Sequence, residues 1–159
     1  MSAVRSDHGD AERSRATGSD TRRNRIRVRV RFPEADLMGW VHHTVYFVWF
    51  EMGRTELMRS VGLPYRSVIA RGFHLPVVEA RVRYRKPAQY DQVVIVESWV
   101  RAVSPVQVTF AYRVLDAESE TLLAEGETRH AVVNTTGRLC RMPPEVYAQL
   151  RHMQENDGQ

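Results

Sequence analysis

The residues with the clearest chemical potential lie together, just before the most apolar segment of the chain. Asp36 precedes the paired histidines His42 and His43, and the run TVYFVWFE follows at residues 44–51. Free N–H groups at the start of a helix can hold a carbonyl oxygen or an anion. A carboxylate beside a helix start therefore supplies a base or nucleophile together with a stabiliser of an oxyanion. These are the minimum parts for hydrolysis of an activated acyl group.

Each of these residues has a second interpretation. Asp36 fits a turn residue stabilised by terminal N–H groups, and His43 fits a structural position as well as an active-site one. His42 and His43 together suggest a metal, but no Cys, Asp or His cluster supplies the further ligands at suitable spacing. We therefore expect no metal and no cofactor. The single cysteine, Cys140, fits a small strand-end or loop residue better than a catalytic thiol.

The segment after the histidines predicts a long helix. Residues 44–61 contain one glycine, no proline and apolar residues at spacings of three and four, which indicates a helix of about five turns. Its first half is apolar on nearly every side, a pattern typical of a helix surrounded by other structure. Glu51 and Arg54 stand three residues apart and are predicted to pair.

Strands are predicted on both sides of this helix. In residues 25–32, four apolar residues ending at Phe32 alternate with four arginines, the period-2 pattern of a strand with one solvated charged face. Four more strands are predicted at residues 75–85, 93–101, 106–115 and 122–134, and short helices at 65–70 and 143–153.

One long apolar helix and five strands have to bury their apolar faces against each other. The sequence therefore predicts an α+β fold, with a curved, antiparallel five-stranded sheet wrapped around one long central helix. The large apolar surface of this helix also predicts a second subunit that completes its cover. We expect a homodimer at least.

Length and composition predict one folded domain with two polar tails. Residues 1–24 and 154–159 are expected to be flexible, and residues 25–153 to fold as a single unit. No apolar run approaches the roughly 20 residues of a membrane span, and no signal-peptide pattern is present, so we expect a cytoplasmic protein without a membrane partner. The net charge of +4 comes almost entirely from arginine and is not interpreted as a nucleic-acid signature.

Two blocks of the sequence resemble a known family. The run VRFPEADLMGWVHHTVYFVWFEMGRTE, residues 30–56, resembles the signature of hotdog-fold acyl-CoA thioesterases of the 4-hydroxybenzoyl-CoA thioesterase group. Residues 75–92, LPVVEARVRYRKPAQYDQ, are similar to the second block of that family. Ala35 and His42 depart from common family residues, which leaves the acyl group open. The residues that match the first signature in place are Glu34, Asp36, Gly39, His43, Tyr46, Phe50, Glu51 and Arg54.

The resemblance implies the hotdog fold and hydrolysis of an acyl thioester without a serine or cysteine nucleophile. It makes Asp36 a nucleophile or a general base on water, and the first helical N–H groups, near His43, the holders of the carbonyl oxygen. His43 would orient water or Asp36. The implied substrate-binding residues are Gly39, Val41, Tyr46, Arg85 and Lys86, of which the last two are candidates for phosphate contact.

Several functions stay open at this point. The expected substrate is an acyl-CoA or an acyl-carrier-protein thioester, and the expected assembly is a homodimer or a dimer of dimers. An alternative is a stand-alone thioesterase that releases a polyketide chain, whereas dehydratases of this fold resemble the catalytic loop less. From another class, the chain could be a non-catalytic acyl-ligand or nucleic-acid binder that uses its arginine faces. The preferred hypothesis involves no nucleic acid.

Overall fold

The computed structural model describes residues 22–155, so the tail predictions for residues 1–21 and 156–159 lie outside the described residues. The folded part begins slightly before the predicted residue 25, because Arg23 already forms ion pairs with Glu97 and Glu155. The helices and strands are β1 (Asn24–Arg29), α1 (Val45–Ser60), α2 (Tyr65–Ala70), β2 (Phe73–His74), β3 (Val77–Tyr84), β4 (Val93–Ser104), β5 (Gln107–Asp116), β6 (Leu122–Ala131), β7 (Val133–Asn134) and α3 (Pro144–Met153).

Five of the strands form one antiparallel sheet in the order β1-β4-β5-β6-β3. The predictions of an α+β class and of a five-stranded antiparallel sheet are confirmed. The last predicted strand is divided, however, since β7 leaves the large sheet and pairs with β2. Within residues 22–155, no helix combines the length and the apolar character needed to cross a membrane.

The first strand ends earlier than predicted. β1 stops at Arg29, and Phe32 lies in a short 3-10 helix, Phe32–Glu34, with 77% of its surface exposed. The prediction that Phe32 continues the apolar strand face is therefore wrong. Pro33 explains the change, because a proline has no N–H to donate to the sheet.

The outer face of the sheet carries the arginines, and several of them, including Arg25, pair with carboxylates rather than being simply solvated. Arg25, Glu97, Arg113, Glu125 and Arg83 are cross-strand neighbours in turn, so charge alternates across all five strands. Opposite charges at such positions stabilise a sheet. Burial alone would raise the pKa of Glu97, but hydrogen bonds from Arg25 and Arg23 lower it below its usual value.

The inner face of the sheet packs closely against α1. Phe50 stacks on Tyr112 with ring centroids 4.4 Å apart, and it lies directly over Gly126. A Cβ atom at Gly126 would lie 2.3 Å from the carbonyl oxygen of Arg81 and 2.7 Å from the Phe50 ring. On the helix side, the Ser98 hydroxyl donates to the Gly53 carbonyl at 3.0 Å. The middle of α1 is thus fixed against the sheet by contacts that leave no space for a methyl group at Gly126.

One side of α1 is open in the single chain, so this chain alone does not surround the first half of the helix, and the second subunit predicted from the sequence would have to complete its cover. Val48 and Met52 are 49% and 42% exposed. The predicted pairing of Glu51 with Arg54 is wrong, because no ion pair joins them in the part of the chain that the structure describes. Arg54 instead donates a long hydrogen bond, 3.4 Å, to the hydroxyl of Tyr112.

Candidate active site

The segment between β1 and α1 forms a tight turn that presents Asp36. The Asp36 N–H donates to the Trp40 carbonyl at 2.7 Å, and the Gly39 N–H donates to the Asp36 carbonyl at 3.0 Å. Gly39 adopts φ = 79°, a left-handed conformation that glycine tolerates without strain. The base of the turn is held by buried Glu34, whose carbonyl accepts the His42 N–H at 2.9 Å.

One of the two carboxylate oxygens of Asp36 is hydrogen-bonded within its own turn. Its Oδ1 accepts the N–H groups of Met38 and Trp40 at 2.8 and 3.1 Å. These contacts fit the turn-residue interpretation of Asp36, although the donors belong to the loop and not to the helix. Among residues 22–155, the second oxygen, Oδ2, has no hydrogen-bond partner. The turn therefore fixes the carboxylate and leaves one oxygen for another molecule.

The backbone donors at the start of α1 differ in whether they have an acceptor. The Thr44 N–H lies 3.3 Å from Nδ1 of His42, and the Val45 N–H donates to the His42 carbonyl at 3.0 Å. No acceptor for the His43 N–H occurs within the described chain. A free N–H at this position can hold a carbonyl oxygen and stabilise the oxyanion that forms from it.

Two tyrosines form a wall beside this donor. The rings of Tyr46 and Tyr84 meet edge to face at 5.1 Å, and the Tyr84 hydroxyl donates to the His43 carbonyl at 2.7 Å. The Ala88 N–H donates to the Tyr46 hydroxyl at 3.1 Å. Burial raises the pKa of both tyrosines above the usual value, so both hydroxyls keep their protons at neutral pH.

An open cavity of about 320 Å³ joins these features. It brings together six of the seven residues predicted for the site, while the seventh, Gly39, lies outside it and shapes the turn. Sequence reasoning missed the other four lining residues. The residues that line the cavity are Asp36, Trp40, Val41, His42, His43, Tyr46, Tyr84, Arg85, Lys86 and Pro87. Their shared position permits a carbonyl held at the His43 N–H to face a base, Oδ2 of Asp36.

The two predicted phosphate contacts differ in their surroundings. Arg85 forms an ion pair with Glu125 at 2.7 Å. Lys86, the only lysine of the chain, has no ion-pair partner among the residues described. A phosphate would compete with a carboxylate for Arg85 but not for Lys86. Residues 22–155 also contain no group of three or more His, Cys, Asp or Glu side chains placed to hold a metal ion.

The sequence gives little indication that the four remaining residues, Trp40, His42, Tyr84 and Pro87, line this cavity. Tyr84 ends an alternating strand pattern that predicts its apolar face but gives no partner for its hydroxyl. His42 departs from the family pattern, yet its ring lies against that of His43 with centroids 4.3 Å apart. Trp40 and Pro87 are separated by nearly fifty residues of chain and come together where Trp40 bridges Gln89 and the Val41 N–H donates to the Ala88 carbonyl at 2.8 Å.

Comparisons with known proteins agree on one family. The family model described as the thioesterase-like superfamily matches residues 30–150. A solved structure of a hypothetical protein from Thermus thermophilus is similar, with 38% identity and a TM-score of 0.77; the match covers 84% of this chain and 98% of that one.

Several relatives have names that state an activity, and two of them represent different substrates. The acyl-CoA thioester hydrolase YbgC of Escherichia coli is 29% identical over 125 residues, which are 78% of this chain and 92% of YbgC. The acyl-acyl carrier protein thioesterase ATL2 of Arabidopsis thaliana is 24% identical over 129 residues, which are 81% of this chain and 69% of ATL2.

Proposed function

We propose a function from one premise: the chain belongs to the thioesterase-like superfamily, whose model matches most of its length. It is a hydrolase of acyl thioesters with the hotdog fold. Within that class, we propose that it cleaves acyl-CoA, that it is related most closely to the 4-hydroxybenzoyl-CoA group, and that its sheet wraps around α1 as a central helix. A cytoplasmic location remains a prediction from the sequence.

The catalytic role that we propose for Asp36 is supported by one observation. Asp36, whose Oδ2 has no hydrogen-bond partner within residues 22–155, and His43, whose N–H has no acceptor there, line the same cavity. In the proposed reaction, the His43 N–H binds the thioester carbonyl oxygen, and Asp36 removes a proton from a water that attacks the carbonyl carbon. The tetrahedral intermediate places its negative oxygen on the same N–H, and its collapse breaks the carbon–sulfur bond and releases the thiolate.

Direct attack by Asp36 is the second route that this geometry supports. The carboxylate would form a mixed anhydride with the acyl group and release the thiolate, and water would then hydrolyse the anhydride. Both routes need no acid for the leaving group, because a thiolate is far less basic than an alkoxide. A site with one carboxylate and one backbone donor is therefore sufficient.

The remaining predicted residues receive binding and orienting roles in this proposal. Val41 and Tyr46 would line the space for the acyl group, since both are buried and face the cavity. Gly39 would act indirectly, through the turn that orients Asp36. The His43 side chain would orient the attacking water or Asp36, and Lys86 would contact a phosphate of coenzyme A more readily than Arg85.

We also propose that a second copy of the chain covers the open side of α1. β3, which is in contact with α1, is an edge strand, and Val78 on it is 55% exposed, while Val48 and Met52 of the helix are also exposed in part. Glu51 and Arg54 lack an ion pair between them. Two copies related by a twofold axis could pair Glu51 of each with Arg54 of the other, so the face is self-complementary.

A dimer formed in this way would also favour thioester hydrolysis at Asp36. Asp36 is exposed and the cavity is open in a single chain, whereas electrostatic catalysis is strongest where water is excluded. Replacing Met52 with Glu should convert a homodimer, or a dimer of dimers, to a smaller species when the molar mass is measured by light scattering. An unchanged molar mass would contradict this choice of interface.

The carrier-protein alternative is favoured by a specific relative, ATL2, whose name states activity on acyl carrier protein. A stand-alone enzyme that releases a polyketide chain would use the same Asp36 site, with a different acyl space and partner surface. A non-catalytic binder would need none of the turn chemistry at Asp36.

The experiment that tests the proposal is an assay of thiol release with a panel of acyl thioesters. Acyl groups of varied length and aromaticity are presented on coenzyme A and, in parallel, on an acyl carrier protein. We expect release from coenzyme A for at least one class of acyl group. Preference for the carrier arm would favour the alternative, and no cleavage in either arm would contradict the proposed hydrolase and favour a binder.

A further inference from the structure

We propose that Tyr84 is a positioning residue for catalysis, which holds the start of α1 so that the His43 N–H points at the thioester carbonyl oxygen. This inference rests on the proposed function of the Asp36 site. It assigns the hydroxyl of Tyr84, a residue on the sheet, to the geometry of a donor on the helix.

The first turn of α1 departs from the regular α-helical hydrogen-bond pattern at His43. The Phe47 N–H donates to the Thr44 carbonyl at 3.2 Å, three residues back, where a regular helix would use the carbonyl of His43 four residues back. The His43 carbonyl is thereby left for another donor. The Tyr84 hydroxyl occupies it at 2.7 Å, the usual length of a strong O–H···O bond.

Tyr84 itself is held from several sides. It is the last residue of β3 and pairs with Ala124 of β6. Its ring lies edge-on to Tyr46, whose hydroxyl is fixed by the Ala88 N–H. Immediately after Tyr84, the N–H groups of Arg85 and Lys86 both donate to the Leu123 carbonyl, at 2.8 and 3.0 Å. The hydroxyl is therefore presented by a well-anchored corner of the sheet.

The hydrogen bond connects this anchored corner to a residue that is otherwise loosely held. His43 lies in the turn between the Asp36 loop and α1, its side chain is exposed, and its N–H has no acceptor among the residues described. The bond to the His43 carbonyl fixes the peptide plane that His43 shares with Thr44, and it thereby limits the backbone rotation at His43 that sets the direction of its N–H. A catalytic donor has to be held in place before the charge develops, since this is what makes it effective.

A merely structural role for the same bond predicts different behaviour. The bond is exposed to solvent, so its loss should change stability little, whereas misplacing a catalytic group by about 1 Å can reduce a rate by roughly 100-fold. Turnover and stability should therefore respond differently to removal of the hydroxyl.

The test compares Tyr84→Phe with Tyr90→Phe, assayed with the best thioester found for the wild-type chain. Tyr90 is a matched control, because it is also exposed and its ring packs edge-on against Phe32, while no hydrogen bond to its hydroxyl occurs within residues 22–155. We expect Tyr84→Phe to lower kcat by roughly 10- to 100-fold, with KM changed less than about twofold and Tm nearly unchanged. The control should leave all three quantities unchanged.

Vibrational spectroscopy of the bound substrate reports directly on the hydrogen bond from the His43 N–H. In an Asp36→Asn background that binds the thioester without cleaving it, hydrogen bonding lowers the carbonyl stretching frequency of the bound substrate. Adding Tyr84→Phe should reverse part of that decrease, and adding Tyr90→Phe should not.

The outcomes separate the inference from the function on which it rests. If the wild-type chain cleaves no thioester, the proposed function fails before Tyr84 is considered. If the wild-type chain is active and Tyr84→Phe has the same kcat and the same carbonyl frequency, the positioning role is overturned. A fall in Tm or a rise in KM at unchanged kcat would overturn it as well, because it would show a structural or binding role.

Discussion

The start and the middle of α1 are built in opposite ways. In the middle, Phe50 lies over Gly126 and stacks on Tyr112, so that the helix and the sheet are in direct contact. At the start, the side chain of His43 is exposed and its N–H is without an acceptor in the described chain. The same helix thus combines a tightly packed segment with an end where polar groups are left for another molecule.

The difference separates the source of stability from the source of activity. The packed middle fixes the helix axis relative to the sheet, and the open start can then present its donor in a constant place. Changes in the middle should alter the free energy of unfolding and leave the turnover of folded molecules nearly constant. Changes at the start should do the reverse.

The largest expected effect on stability is at Gly126. In Gly126→Ala, the new methyl group would collide with a backbone carbonyl, which cannot move as a side chain can, and we expect the free energy of unfolding to fall by about 3 kcal/mol. Gly53→Ala is the matched comparison, because the three atoms nearest to its methyl group belong to side chains, Val96 Cγ1 at 3.0 Å and two atoms of Ser98 at 3.5 Å, and alanine favours the helix. Denaturant titration of both variants measures this, and equal losses would contradict the close approach of the Arg81 carbonyl and the Phe50 ring to Gly126.

The next effect is an acid sensitivity of the core at His130. Burial lowers the pKa of this fully buried histidine to about 4 from a usual value of 6.5. Above pH 6.5 both the folded and the unfolded chain hold it neutral, and as the pH falls from 6.5 towards 4 the unfolded chain alone takes up the proton. The loss of stability over that window should approach roughly 3 kcal/mol.

His130→Gln isolates this contribution, since other groups also titrate in acid. The free energy of unfolding of the variant, measured at pH 7 and at pH 4.5, should differ less between the two values than that of the wild type. His152→Gln, a change at an exposed position, should retain the full wild-type difference. A variant at position 130 with an undiminished pH dependence would show that the sensitivity arises elsewhere.

The smallest of these effects concerns the cavity rim. Lys86→Gln should raise KM for an acyl-CoA by roughly fivefold at low salt and leave kcat unchanged, because an exposed charge contact contributes up to about 1 kcal/mol. Arg85→Gln should have a smaller effect, since Arg85 is already paired with Glu125. Kinetics at two salt concentrations decide between them, and a larger effect at Arg85 would reverse the assignment of the phosphate contact.

Much of the fold follows from local patterns in the sequence. The alternation of residues 25–30 predicts β1 because side chains of a strand point to opposite faces in turn, and the apolar spacing of three and four predicts α1. The prediction for Phe32 is wrong because the alternation of apolar residues with arginines continues to this residue, whereas the neighbouring Pro33 cannot donate a hydrogen bond to the sheet. The arginine face was only half predicted, since pairing Arg25 with Glu97 requires the register of strands 72 residues apart.

The site divides in the same manner. Asp36, His43 and Tyr46 lie within eleven residues, so a motif can relate them, and the structure places all three around one cavity. Tyr84 is 41 residues from His43, and its contact depends on where the end of β3 meets the start of α1. Periodicity predicts the face of a strand but not the atom that its terminal hydroxyl reaches. Long-range hydrogen bonds of this kind become visible only in three dimensions.

The measurement that tests the central claim most directly is thioester hydrolysis by Asp36→Asn beside the wild type, with Tm recorded for both. The Asn side chain retains an oxygen that can accept the Met38 and Trp40 N–H groups, so the turn should persist and Tm should stay the same. We predict that kcat falls by roughly 10³-fold or more, because the base or nucleophile is lost. A variant that folds normally and keeps wild-type turnover would contradict the account.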